Sequence, residues 1–121
     1  MGEDIACRYV EGKEMSIVER NYWKPQGEID IITKDKMGIH FVEVKSVSWD
    51  LEGEEGESQK IRPEENMHKR KFDRIHRAIQ MYLGERHISH EIPWQIDAIF
   101  VFIDEKRKKS AVKYYEHISL E

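Results

Sequence analysis

The sequence predicts an α/β protein, one domain over 1–121, built on a mixed five-stranded sheet flanked by helices. Two observations predict it. The runs "GEIDIIT" (27–33), "IHFVEVK" (39–45) and "WQIDAIFVFID" (94–104) are apolar at both alternating parities. Strands covered on both faces read this way. Stretches with helical spacing stand before the first of these runs and between the second and third, which sets helices on the faces of the sheet.

The elements follow in order. Residues 2–11, "GEDIACRYVE", place Ile5, Ala6, Tyr9 and Val10 at helical spacing, with Gly12 as the stop. Residues 15–22 read as a half-exposed strand. The next two strands are "GEIDIIT" and "IHFVEVK", with Ile29 and Ile31 expected on one side and Ile32 and Phe41 on the other. "DKMG" (35–38) joins them as a hairpin loop. Residues 46–66 are acidic, hold two Gly and one Pro, and read as a mobile loop. A second helix is expected at about 64–83, with Phe72, Ile75, Ile79 and Tyr82 as its apolar stripe and Gly84 as its end. Strands at 94–104 and 110–118 complete the order, the last at an edge.

Composition excludes several classes. Twelve aromatic residues and many Ile and Val argue against disorder, despite 36% charged residues. One cysteine, Cys7, cannot form an internal disulfide and leaves no paired-cysteine zinc pattern. No apolar run reaches the length of a membrane span, and no signal segment is read at the N-terminus, so a cytoplasmic protein without a membrane partner is expected. The net charge is −4, but it is unevenly spread. Residues 50–65 carry seven acids against two bases, whereas "HKRKFDRIHR" (68–77) holds five Lys or Arg against one Asp. Clustering, rather than the total, is what a phosphate backbone senses.

The hairpin raises the chemical question. If Lys34 pairs with Ile39, the register brings Ile32 opposite Phe41, Asp30 opposite Glu43 and Glu28 opposite Lys45, all on one face. Opposed like charges destabilise a sheet. Asp30 and Glu43 therefore call for a cation between them, and hard carboxylate oxygens suit Mg²⁺ or Mn²⁺. Glu3 lies on or beside the buried stripe of the first helix and is a candidate third acid. Acids holding a metal beside Lys45 suit phosphodiester hydrolysis. Lys69 and the stripe Arg70, Arg74, Arg77 are candidate contacts to a nucleic-acid backbone. Asp97 is read as a polar group on the solvent side of its strand. The six histidines show no ligand spacing. Trp23, Trp49 and Trp94 are read as packing residues, and Cys7 as a buried small apolar group.

These residues carry a resemblance. Asp30 with Glu43-Val44-Lys45 is similar to the D…(D/E)-x-K core of the PD-(D/E)XK nuclease superfamily. "GE" (2–3) with Ala6, "ERN" (19–21), "GEIDII" (27–32), "FVEVKS" (41–46) and "QIDAIFV" (95–101) resemble the YraN-like family of small bacterial proteins related to Holliday-junction resolvases. The residue before Asp30 is Ile29 rather than Pro, and the QxxxY signature of some relatives is absent after the second helix. The resemblance implies a restriction-endonuclease-like core and a Mg²⁺- or Mn²⁺-dependent endonuclease acting on double-stranded or branched DNA, with a homodimer as the assembly that cuts two strands. It implies Asp30 and Glu43 as metal ligands, Lys45 as the catalytic lysine, and Glu3 as the acid supplied by the first helix. The other reading is a nucleic-acid-binding or scaffold protein that keeps the fold without cleavage, which the acidic loop favours.

Overall fold

A computed structural model describes residues 2–48 and 69–118. The elements are α1 (Gly2–Gly12), β1 (Ser16–Lys24), β2 (Gly27–Asp35), β3 (Gly38–Ser48), α2 (Lys69–Glu85), β4 (Trp94–Asp104) and β5 (Lys109–Tyr115). The five strands form one sheet in the order β1-β2-β3-β4-β5. The β3–β4 pair is parallel and the other pairs are antiparallel. This α/β arrangement is consistent with a restriction-endonuclease-like core. Parallel neighbours cannot be joined by a tight turn, and α2 lies in the long connection between β3 and β4. β5 is an edge strand, as its sequence suggests.

Each face of the sheet has its own core. On one, α2 packs Phe72, Ile75, Ile79 and Tyr82 against Ile29, Ile32, Phe41, Ile96 and Phe100. On the other, α1 packs Ala6, Cys7 and Val10 against Ile31, Val42, Ile99 and Val101. Burying side chains of this size stabilises by about 1.5–3 kcal/mol each.

Both helices end on a left-handed residue that is not glycine. After α1, Glu14 has φ 63° and Met15 N–H donates to Val10 O at 3.3 Å. After α2, His87 has φ 53°, Ile88 N–H donates to Leu83 O at 3.0 Å and His87 N–H to Gly84 O at 3.2 Å. These reverse bonds satisfy carbonyls that the helix leaves open. Thus α2 runs through Gly84 to Glu85, and His87 supplies the turn that the sequence suggested for Gly84. Residues 64–68, the expected first turn of this helix, lie outside the described residues, as does the acidic segment 50–65. Residues 46–48, expected in the loop, extend β3.

The β2–β3 hairpin has the expected register. Lys34 pairs with Ile39 and Ile32 with Phe41. Asp35 and Gly38 are the last paired residues, so the turn proper is Lys36-Met37, closed by Met37 N–H donating to Asp35 Oδ1 at 2.8 Å. Gly38 has φ 132°, and a Cβ there would lie 2.2 Å from Pro93 O. No other residue satisfies both constraints cheaply.

One face assignment is corrected. Ile29 and Ile31 share a parity but not a face: Ile29 belongs to the α2 core and Ile31 to the α1 core. The cause is local. Arg20 pairs with Ile31 and Tyr22 with Ile29, so the residues between them are Asn21, with φ 53°, and Asp30. A left-handed residue in a strand breaks the simple alternation and re-aims the side chains around it.

Candidate active site

Asp30 sits where this irregularity falls. The β2–β3 ladder ends at Ile31–Val42. Beyond it, the Asp30 carboxylate takes the place of a main-chain acceptor: Val44 N–H donates to Asp30 Oδ2 at 2.8 Å. A charged acceptor makes this a strong hydrogen bond, and it wedges the strands apart at their open end. The expected pairings of Asp30 with Glu43 and of Glu28 with Lys45 are therefore absent from the ladder. Glu28 pairs instead with Trp23 of β1.

Glu43 faces the α2 side of β3. Its carboxyl lies within hydrogen-bonding reach of Asp30. Glu43 Oε1 is 2.6 Å from Lys71 Nζ of α2, and only 12% of the Glu43 side chain is accessible. Burial, and next to it the Asp30 charge, push the Glu43 carboxyl up to about 7, with Lys71 opposing. Glu3, at the start of α1, is also raised, first by its own burial and then by Asp30, with Arg20 opposing. Arg20 Nη2 is 4.0 Å from Glu3 Oε1 and 3.0 Å from Asp4 Oδ1. The approach of α1 to β3 is close: a Cβ at Gly2 would lie 1.9 Å from Ser46 Oγ. Glycine at position 2 thus lets the helix start, and Glu3 with it, come down onto the sheet.

Lys45 is exposed and, two residues beyond Glu43 on a strand regularly paired to β4, lies on the same face. A cavity of about 450 Å³ opens here, lined by Glu28, Glu43, Arg70, Lys71, Arg74 and Ile75. The predicted basic stripe therefore divides. Arg70 and Arg74 line the cavity, while Arg77 is exposed but does not. Lys69 is largely solvated and paired to Asp73 at 3.1 Å. The β1–β2 hairpin closes one side, since a Cβ at Gly27 would lie 2.2 Å from Arg74 O.

Sequence reasoning missed Lys71, although a signal was present. Lys71 precedes Ile75 and Ile79 by four and eight residues, which puts it in line with the buried stripe of α2 rather than with the arginines. It also missed a buried polar network. Asp97, expected on the solvent side, has no accessible surface. Asp97 Oδ2 is 2.7 Å from His40 Nδ1 and accepts from the Tyr114 hydroxyl. Asp97 Oδ1 accepts from Gln95 Nε2 at 2.8 Å and from His117 N–H at 3.1 Å. The other ring nitrogen of His40 is 3.0 Å from Asp35 Oδ2. Hydrogen bonds to the two carboxylates raise His40 against its burial. Among the described residues, His40, Asp97 and Glu116 bring ligand atoms within 4.8 Å of one another, a spacing that could hold a metal ion. Both imidazole nitrogens already face carboxylates, so an ion there would have to replace a ring proton. Cys7 is buried, as expected, and Trp94 packs on the α2 core, but Trp23 is 64% exposed rather than packed. Trp49 lies outside the described residues. Among the described residues no helix is long and apolar enough to cross a membrane.

Comparison with known proteins identifies the family. Residues 2–101 match the family described as Uncharacterised protein family UPF0102. A UPF0102 protein of Campylobacter lari is 35% identical over 98% of this chain and 89% of its own length. One of Clostridium botulinum is 32% identical over 93% of this chain and 85% of its own, and one of Campylobacter jejuni 31% over 98% and 90%. The chain belongs to the UPF0102 family, the YraN-like group.

Proposed function

We propose that this protein is a metal-dependent endonuclease that hydrolyses phosphodiester bonds of DNA, with branched or junction DNA as the favoured class. The observation that carries the reading is the adjacency of the Asp30 and Glu43 carboxyls at the splayed end of β2 and β3. The oxygen-only donor set fits a hard divalent ion, Mg²⁺ or Mn²⁺. Asp30 and Glu43 would hold it, and Glu3 stands near enough to sense the Asp30 charge. When bound, such an ion supplies a water of lowered pKa and neutralises phosphate charge.

The chain's own residues do the rest. Lys45, exposed on the Glu43 face, is suited to stabilise developing negative charge or to orient the attacking water. Arg70 and Arg74 border the cavity and suit phosphates on either side of the cleaved bond. Lys69 and Arg77 extend the basic surface of α2. A homodimer would serve two-strand cleavage, and a cytoplasmic setting fits a DNA substrate. One observation favours a second reading, a non-catalytic DNA-binding protein: the Lys71–Glu43 ion pair satisfies Glu43 without a metal. The test is cleavage of duplex, nicked, flapped and four-way DNA with Mg²⁺ or Mn²⁺, using wild type, Asp30→Asn and Lys45→Ala. Cleavage by wild type alone supports the nuclease. Binding without cleavage on every substrate and with either ion overturns it in favour of the second reading.

A further inference from the structure

The acid pair is not alone in its pocket. Lys71 reaches it from α2, a different element from those that carry the candidate ligands and Lys45. The contact at 2.6 Å is made by a side chain that is 42% accessible to one that is 12% accessible. The lysine thus enters from the open side of the cavity, the side from which a substrate would approach. Lysine suits this position better than arginine would. Its ammonium is a compact point charge on a flexible four-carbon stem, whereas a guanidinium would lock bidentate onto one carboxylate.

The electrostatics are those of a shared place. Asp30 and Glu43 repel each other, and one cation can relieve that repulsion. In the free chain Lys71 supplies a single positive charge, held by one Glu43 oxygen. A divalent ion supplies two charges and draws on both acids. The two cations compete for the same oxygen, because an ammonium and a metal cannot both approach it closely without repelling each other. Lys71 itself lines the cavity with Arg70 and Arg74, so a released ammonium has that cavity within its reach.

We propose that Lys71 is a resident counter-cation of the metal site, occupying Glu43 in the free chain and turning into the cavity to meet a substrate phosphate once a divalent ion takes the acids. This rests on the metal-dependent reading above. It makes Lys71 a positioning residue that keeps the acid pair folded without metal and couples metal occupancy to phosphate binding.

Two measurements test it, neither of them cleavage. The first is Mn²⁺ binding, by calorimetry or by the loss of free-ion spin resonance, for wild type, Lys71→Met, Lys71→Arg and Glu43→Gln. Removing the competitor should tighten Mn²⁺ about tenfold in Lys71→Met. Lys71→Arg, whose guanidinium would hold the carboxylate more firmly, should bind Mn²⁺ more weakly than wild type, and Glu43→Gln should lose most of the binding. The second is DNA binding with Ca²⁺ in place of the active metal. With Ca²⁺, Lys71→Met should flatten the slope of log K against log salt by about one relative to wild type; without divalent ions the two slopes should coincide. If Lys71→Met binds Mn²⁺ no more tightly than wild type while Glu43→Gln loses binding, the counter-cation inference is overturned and the metal site stands. If neither wild type nor Lys71→Met binds Mn²⁺, both fall. Equal salt slopes with Ca²⁺ overturn the release of Lys71 toward phosphate.

Discussion

Glu43→Gln should make the metal-free protein more stable, although it deletes a partly buried ion pair. The Glu43 carboxyl titrates at about 7 in the fold against an ordinary value of 4.5, because burial and Asp30 outweigh Lys71. Between these two values the folded chain holds a proton that the unfolded chain has released. Stability therefore falls as pH rises from 4.5 to 7 and is flat on this account beyond. The full loss is at most about 3.5 kcal/mol, at roughly 1.4 kcal/mol per pH unit. Glutamine is the neutral stand-in for the protonated acid and escapes that loss. Wild type and Glu43→Gln should melt together near pH 4.5. By pH 8, without divalent ions, the variant should melt higher by up to roughly 10 °C for a domain of this size. Adding about 10 mM Mg²⁺ should narrow the gap by stabilising wild type alone, by roughly 1.4 kcal/mol for a Kd of about 1 mM. Melting curves at pH 4.5, 6 and 8, at matched ionic strength, decide it. If Glu43→Gln melts clearly below wild type at pH 8, the Lys71–Glu43 pair is a structural salt bridge, and the reasoning that sees a strained metal site is wrong.

Three further outcomes are expected. Arg70→Ala with Arg74→Ala should flatten the salt dependence of DNA affinity by about two in log–log slope, whereas Arg77→Ala, outside the cavity, should change it little; a loss shared equally by all three would restore the undivided stripe. The His40 imidazolium, held between Asp35 and Asp97, should titrate above 6.5 by NMR. Its stabilising effect should be full below pH 6.5 and disappear as pH rises through the raised value, so His40→Gln should cost most in mildly acid buffer; a cost independent of pH would show that the charge is not what matters. Gly38→Ala should destabilise by about 1–3 kcal/mol, since φ is 132° and a Cβ would lie 2.2 Å from Pro93 O; a variant as stable as wild type in urea would contradict this.

Much of this protein is determined locally. The hairpin register could be read from the sequence because a short turn permits few pairings, so "DKMG" set Lys34 against Ile39 and Ile32 against Phe41, although the ladder stops at Ile31–Val42, short of Asp30 and Glu43. The apolar runs at both parities announced a sheet covered on both faces, and the stripe Phe72, Ile75, Ile79, Tyr82 announced the helix that covers one of them. What escaped depended on neighbours distant in sequence. Ile29 changed face because Asn21, on another strand, is left-handed opposite Asp30. Asp97 looked like a solvent-facing group because alternation cannot say which strands are central. β4 lies between β3 and β5, so the side chain is buried and its charge is met by His40, Tyr114 and a backbone N–H from beyond β5. Lys71 belonged by composition to a basic surface patch. Only the packing of α2 over β3, which no local pattern encodes, carried one ammonium of that patch to Glu43.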